Sequence, residues 1–94
     1  MTTLKQSLDL ILSEDAELYA QLCEAELIPR DERELSAEHL EIARVTRTLV
    51  RELEVNWAGV EVVLQMRSQL IATRRQLDEL AAVVRRSQDK PREP

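Results

Sequence analysis

Few residues in this sequence have types and spacing suited to catalysis, whereas carboxylates are abundant. The chain has one histidine, His39, and one cysteine, Cys23, and neither has a second residue at metal-ligand spacing. It contains no Ser/His/Asp set, no Cys/His set and no glycine-rich phosphate loop. Its 18 Asp and Glu outnumber its 13 Lys and Arg. We therefore predict a non-enzyme that binds no cofactor and no metal.

The charge is divided unequally along the chain. Residues 1–41 contain eleven acidic residues against Lys5, Arg30 and Arg33, a balance of −8, whereas residues 42–94 have a balance of +3. An acidic N-terminal part repels a phosphate backbone and attracts a basic protein surface. This pattern predicts a protein partner and does not favour nucleic acid.

Length and composition indicate one small domain in a reducing compartment. With 94 residues and 2% aromatic residues, the chain can build only a thin aliphatic core, which a second subunit would help to cover. One cysteine cannot form an internal disulfide, so we expect a cytoplasmic protein. We expect neither a signal peptide nor contact with a membrane, because no window approaches about 18 apolar residues.

Apolar periodicity predicts an all-α fold, with three short helices followed by a long one. Ser13, Ser36 and Asn56 have the residue types and positions of N-caps for the second, third and fourth helices. The second helix ends at Ile28, because the residue before a proline avoids the helical region.

The third helix is expected to bury one stripe of side chains. Its stripe runs through Leu40, Ala43, Thr46/Arg47, Val50 and Leu53.

The start of the fourth helix contains the one tryptophan and the one glycine of the sequence. We expect Trp57 to fold back on the third helix as a core residue, with an exposed partner contact as the alternative. Gly59 costs about 1 kcal/mol relative to alanine inside a helix, so we expect it to permit a close helix crossing.

From Val63 onward, apolar positions recur at alternating steps of three and four residues. This spacing is a heptad seam of a helix that needs a partner helix. It predicts a homodimer whose interface includes Leu70, Leu77, Leu80 and Val84. The alternative is that the helix folds back on its own N-terminal part, which the length beyond Leu70 disfavours.

One segment resembles MerR-type winged helix-turn-helix proteins. It reads LIPRDERELSAEHLEIARVTRTLVRELEVNWAGVEVVLQM over residues 27–66, and its Leu-x-x-Glu-Leu helix is followed by an Asn-x-x-Gly-Val turn. The form NWAGVEVVL is most similar to the CbpM family of chaperone modulators. That resemblance covers about residues 13–84. It implies a small dimer that binds the J-domain of a DnaJ-like co-chaperone such as CbpA and restrains its activity.

The chain departs from the DNA-binding MerR pattern at two elements. The resemblance implies a recognition helix with Arg and Tyr and a basic wing. Here the second helix lies in SEDAELYAQLCEAELI, which has no Arg or Lys, and the wing is reduced to PRDERELS. We interpret the chain as a MerR-like scaffold with a vestigial wing that has lost its DNA-binding chemistry. The MerR scaffold also implies an antiparallel dimer, although the seam itself leaves the orientation open.

The predicted organisation has three parts. Residues 1–55 form an acidic helical head, residues 56–86 a long helix that completes the core and then dimerises, and residues 87–94 a disordered tail. We expect the head to bind the J-domain, with Tyr19 as its apolar anchor or, equally, as a core residue. The predicted partner-binding residues are Glu14, Asp15, Glu17, Tyr19, Glu24, Glu26, Asp31, Glu32 and Glu34. For any single carboxylate, the alternative is a solubilising surface position.

Two other functions stay open at this point. A divergent MerR or heat-shock-repressor type of transcription regulator would need a basic helix or wing, but the basic residues lie outside those elements, at Arg44, Arg47, Arg51, Arg67, Arg74 and Arg75. A purely structural coiled-coil adaptor would bind its partner without residues 1–35.

Overall fold

The computed structural model describes residues 1–89, and every regular element in that range is helical. This confirms the all-α prediction. The chain divides into two compact units, Met1–Val60 and a second that starts at Glu61. The elements in order are α1 (Leu4–Leu12), α2 (Ala16–Glu24), a 3₁₀ turn (Glu32–Glu34), α3 (Ala37–Arg47), a π-helical turn (Thr48–Glu52) and α4 (Trp57–Asp89).

The first unit has a small aliphatic core contributed by α1, α2, α3 and the connector between α2 and α3. Trp57 and Val50 are partly buried and pack against this core. The expected packing of Trp57 on the core is thus confirmed, and Trp57 and Leu40 are both partly buried. The buried members of this core are Leu8, Leu12, Leu18, Leu22, Cys23, Ile28, Leu35 and Ala43.

Two of the predicted N-caps are confirmed. The Ser36 hydroxyl accepts a hydrogen bond from the His39 amide at 3.4 Å, and His39 Nδ1 accepts one from the Ser36 amide at 3.0 Å. This reciprocal pair is a capping box in which histidine takes the place of the usual Glu or Gln. Asn56 Oδ1 accepts from the Gly59 amide at 2.8 Å and caps α4.

The predicted cap at Ser13 is wrong. Ser13 has φ 51° and ends α1, whereas Asp15 caps α2 by accepting a hydrogen bond from the Leu18 amide at 3.1 Å. Both residues are good N-caps by type. The left-handed turn at Ser13 and Glu14 delays the start of α2 by two residues, and the choice between them therefore depended on the backbone.

Leu53 was expected in the core and is 63% exposed. The π-helical turn over Thr48–Glu52 explains the difference, because its Leu53 amide bonds back five residues to the Thr48 carbonyl at 3.0 Å. The wider turn inserts one residue into the helical register. The residues beyond it therefore rotate away from the face that Ala43 and Thr46 bury.

In the second unit α4 continues as a single helix to Asp89. The predicted helix ended at residue 86, so residues 87–89 of the predicted disordered tail are helical. No helix-breaking residue precedes Pro91, which accounts for the longer helix. Residues 90–94 of that tail lie outside the described range.

Gly59 accommodates a side chain of the preceding turn rather than another helix. A Cβ atom at this position would lie 2.6 Å from Val55 Cγ1 and 3.3 Å from Asn56 Oδ1. The expected close helix crossing is therefore replaced by a local contact, in which Val55 folds over the first turn of α4.

We predict that Gly59→Ala lowers the free energy of unfolding, because Val55 is β-branched and has few rotamers with which to avoid the new methyl group. In a Val55→Ala background the same change should raise that free energy by up to about 1 kcal/mol, the helix-propensity difference. Urea unfolding of the four proteins measures both effects. An equal effect in the two backgrounds would show that Val55 is not the reason for the glycine.

Candidate partner-binding site

The structure separates the predicted partner-binding residues into two groups. Asp15, Asp31 and Tyr19 have contacts within the first unit. The remaining six are exposed carboxylates, which we call the acidic face: Glu14, Glu17, Glu24, Glu26, Glu32 and Glu34.

Asp15 joins the start of α2 to the π-helical turn. Its Oδ2 accepts from Arg51 Nε at 2.7 Å, and its Oδ1 accepts from Arg51 Nη2 and from the Leu18 amide, each at 3.1 Å. The Arg51 guanidinium, followed by the Leu18 amide, holds the pKa of the Asp15 carboxyl below its usual range, and Asp15 in turn raises the pKa of Arg51. Asp15 is therefore engaged within the fold, although sequence analysis placed it among the partner contacts.

Asp31 also has a local role. It caps the 3₁₀ turn through a 3.0 Å hydrogen bond from the Arg33 amide, and its carboxylate accepts from the Arg33 side chain at 3.1 and 3.2 Å. These bonds, first the side-chain and then the backbone one, lower the pKa of Asp31. The pair offsets the charge of one of the two arginines in the connector.

Tyr19 is partly buried and packs against the core. The Lys5 ammonium lies 4.3 Å from the centre of its ring and 3.2 Å from Asp9. The partial burial of Tyr19 fits the core role expected for it, with a cation over its ring.

The acidic face is built around α2. Glu17 and Glu24 are seven residues apart, so they lie on one side of the helix about two turns from each other. Ala20, also exposed, lies between them on the same side. Helix α2 contains no basic residue, although Arg51 Nη2 forms an ion pair with Glu17 at 3.9 Å. This side of α2 can therefore receive cationic side chains around a small central residue.

Two residues of the acidic face have a left-handed backbone. Glu26, with φ 60°, follows the C-cap of α2, and the Leu27 and Glu26 amides bond to the carbonyls of Leu22 and Cys23 at 2.9 and 3.0 Å. This is a Schellman motif whose left-handed position usually holds glycine. Glu14 also has φ 60°. A left-handed conformation costs about 1–2 kcal/mol for a residue other than glycine. Both glutamates therefore occupy positions at which glycine would be less strained.

The predicted dimer interface is exposed in the second unit. Along α4, the exposed fractions of Leu70, Leu77, Leu80 and Val84 are 70%, 61%, 60% and 47%. The helix from Glu61 to Asp89 is about 43 Å long, which is enough for four heptads. The seam from Val63 to Val84 covers about three of these heptads, and a seam of that length is typical of an interaction surface.

Three further findings concern alternatives to protein binding. Within residues 1–89, no group of three or more His, Cys, Asp or Glu residues is arranged to hold a metal ion. In the same range no helix combines the length and apolar character needed to span a membrane. The one histidine, His39, is engaged in the capping box with Ser36.

The partner of Asp15 was missed by sequence analysis. Arg51 lies 36 residues away from Asp15, and neither periodicity nor spacing connects the two. The N-cap preference of aspartate was the one available signal, and it applied equally to Ser13.

Comparison of the chain with protein-family models, with curated proteins and with solved structures found no match. The function proposed below therefore rests on the geometry described above and on the sequence resemblance.

We predict that Asp15→Asn and Asp15→Ala separate the two roles of this carboxylate. Asparagine keeps the N-cap and loses the ion pair, whereas alanine loses both and should lower the free energy of unfolding by about 1 kcal/mol more. The pKa of Asp15 is lowered in the folded state, so the ion pair stabilises the fold above the unfolded-state pKa and its contribution disappears as pH falls through the folded-state value.

Chemical unfolding of wild type and Asp15→Asn from neutral to acid pH measures this effect. The stability difference between them should shrink with acidification, and Arg51→Met should reduce this pH dependence to the part that the Leu18 amide and Arg47 contribute. A difference that stays constant with pH would show that the ion pair adds nothing to stability.

Proposed function

We propose that the chain is a non-catalytic modulator that binds the J-domain of a DnaJ- or CbpA-type co-chaperone and restrains its action on a DnaK-type chaperone. The observation that carries this proposal is the exposure of all six carboxylates of the acidic face, two of which lie on α2, a helix without any Lys or Arg. The CbpM resemblance implies a J-domain partner, and its central helices are typically basic. Opposite charges on the two surfaces accelerate association and fix their register.

The arrangement of the arginines supports a protein partner over DNA. Arg44, Arg47 and Arg51 lie on α3 and the π-helical turn, within 4 Å of Glu41, Glu52 and Asp15 respectively. A DNA-binding surface needs cations that can neutralise phosphates. Pairing with carboxylates of the same unit offsets these three charges, which favours the modulator over the transcription regulator.

The mechanism that we propose is occlusion. Lysines and arginines of the J-domain would contact the acidic face, and the bound modulator would cover the J-domain surface that otherwise docks on the chaperone. Exposed charge pairs contribute little each to affinity, with a median of about 0–1 kcal/mol. The carboxylates would therefore set rate and orientation, while an apolar contact near the centre supplies most of the binding free energy.

We also propose that two copies pair through the seam of α4. The four predicted interface residues are apolar and about half or more exposed, and a second copy presents the same seam. Pairing identical seams would remove both from water, which is the main driving force of coiled-coil association. Each dimer would then carry two acidic faces.

The proposed function predicts saturable binding to an isolated J-domain in a calorimetric titration, with an affinity that falls as salt is raised. Glu24→Gln combined with Glu26→Gln should weaken binding and reduce its salt dependence. The matched control is Asp78→Asn with Glu79→Gln, which removes the same charge from α4 and should leave binding unchanged. An absence of binding at both low and physiological salt would refute the function.

The proposed dimer predicts that Leu77→Asp converts the protein to a monomer in sedimentation equilibrium, because a buried and unpaired carboxylate is costly. Ala72→Asp adds the same charge to an exposed position outside the seam and should leave the dimer intact. A Leu77→Asp protein that keeps the wild-type mass would place the interface elsewhere.

A further inference from the structure

Leu10 is the most exposed of the leucines in helix α1. Leu8 and Leu12 are 1% and 2% exposed, whereas Leu10 is 75% exposed, the highest value for any leucine in residues 1–89. Single exposed leucines are common on protein surfaces. The argument for a function therefore depends on what surrounds Leu10.

Leu10 lines a depression on the outer side of α1. Gln6 and Ser13 lie one turn before and after Leu10, and the turn that ends the helix brings Glu14 to the same depression. Leu10 is the one large apolar side chain in this lining, which consists of Thr2, Gln6, Asp9, Leu10, Ser13 and Glu14. The depression thus has an apolar centre within a polar rim.

The rim has a negative electrostatic potential from two sources. The C-terminal end of a helix carries a partial negative charge, and the last turn of α1 contains no basic residue to offset it. Glu14 adds a full charge beside that end. Asp9 contributes less, because Lys5 lies 3.2 Å from its carboxylate.

The backbone at the rim is held in an unfavourable conformation. Ser13 and Glu14 have φ values of 51° and 60°, and neither is glycine. The Glu14 amide bonds to the Asp9 carbonyl at 3.4 Å, and the Asp15 amide to the Leu12 carbonyl at 3.0 Å. These bonds fix the turn that carries Glu14 to the depression.

We propose that Leu10 is the apolar anchor of the partner contact, and that its occupant is a cationic amphipathic helix. An apolar residue of that helix packs on Leu10, and a Lys or Arg one turn away faces Glu14 and the negative end of α1. This inference rests on the proposed J-domain function and specifies where on the first unit the partner docks. Tyr19, for which an anchor role and a core role were equally expected, packs against the core.

The chain offers a matched control for Leu10. Leu53 is 63% exposed in the same unit and lies between two exposed glutamates, Glu52 and Glu54. Leu10→Ala and Leu53→Ala thus remove the same atoms from two exposed leucines in acidic surroundings. Both variants should melt within about 3 °C of wild type, because both positions lie on the surface.

The experiment is a calorimetric titration of wild type and both variants with an isolated J-domain at two salt concentrations. Leu10→Ala should weaken binding by about 30-fold, the effect of losing an anchor residue, with unchanged salt dependence. Leu53→Ala should change the affinity by less than about twofold.

The outcomes distinguish this inference from the function on which it rests. If wild type binds and Leu10→Ala binds equally well, or if Leu53→Ala loses as much affinity, the anchor is not Leu10 while the J-domain function stands. If wild type does not bind, the function and the anchor are both wrong.

Discussion

The first unit depends on one carboxylate that makes three hydrogen bonds. Asp15 caps α2 through the Leu18 amide and binds Arg51 of the π-helical turn at 2.7 and 3.1 Å. With only two aromatic residues in the chain, the aliphatic core alone provides little geometric specificity. The bidentate Asp15–Arg51 ion pair adds geometric specificity, because the planar guanidinium fixes both the orientation and the distance between α2 and the π-helical turn.

The use of Asp15 in the fold clarifies which carboxylates are available for recognition. Asp15 and Asp31 satisfy backbone amides and neighbouring arginines, whereas the six glutamates of the acidic face project from α2 and its flanks. Glu14 and Glu26 have left-handed backbone conformations that glycine would adopt at lower cost. Glu54, outside the acidic face, also has such a conformation with φ 54°, so the exposure of the six glutamates and not their backbone is what favours recognition.

Much of the fold followed from local sequence signals, and the differences arose where distant residues interact. Ser36 and Asn56 were identified as caps because an N-cap is decided by residue type and by the next turn. The choice between Ser13 and Asp15 depended on the left-handed turn at Ser13 and Glu14, and the partner of Asp15, Arg51, lies 36 residues away. Leu53 was misplaced because the π-helical turn shifts the register, and periodicity assumes a constant turn. The nine partner-binding residues were predicted as a set, but their division into structural residues and the exposed acidic face required the coordinates. The role proposed for Leu10 could not be predicted from the sequence, because Leu10 differs from Leu8 and Leu12 only in its exposure.

The central claim is that the bound modulator prevents a J-domain from acting on its chaperone. The direct measurement is the ATPase rate of a DnaK-type chaperone stimulated by an isolated J-domain, as this protein is added. Occlusion predicts that the stimulated rate falls to the basal rate as the J-domain is saturated, and that the basal rate itself does not change. A stimulated rate that stays constant while binding is saturated would contradict the account, because the bound protein would then leave the chaperone-docking surface of the J-domain free.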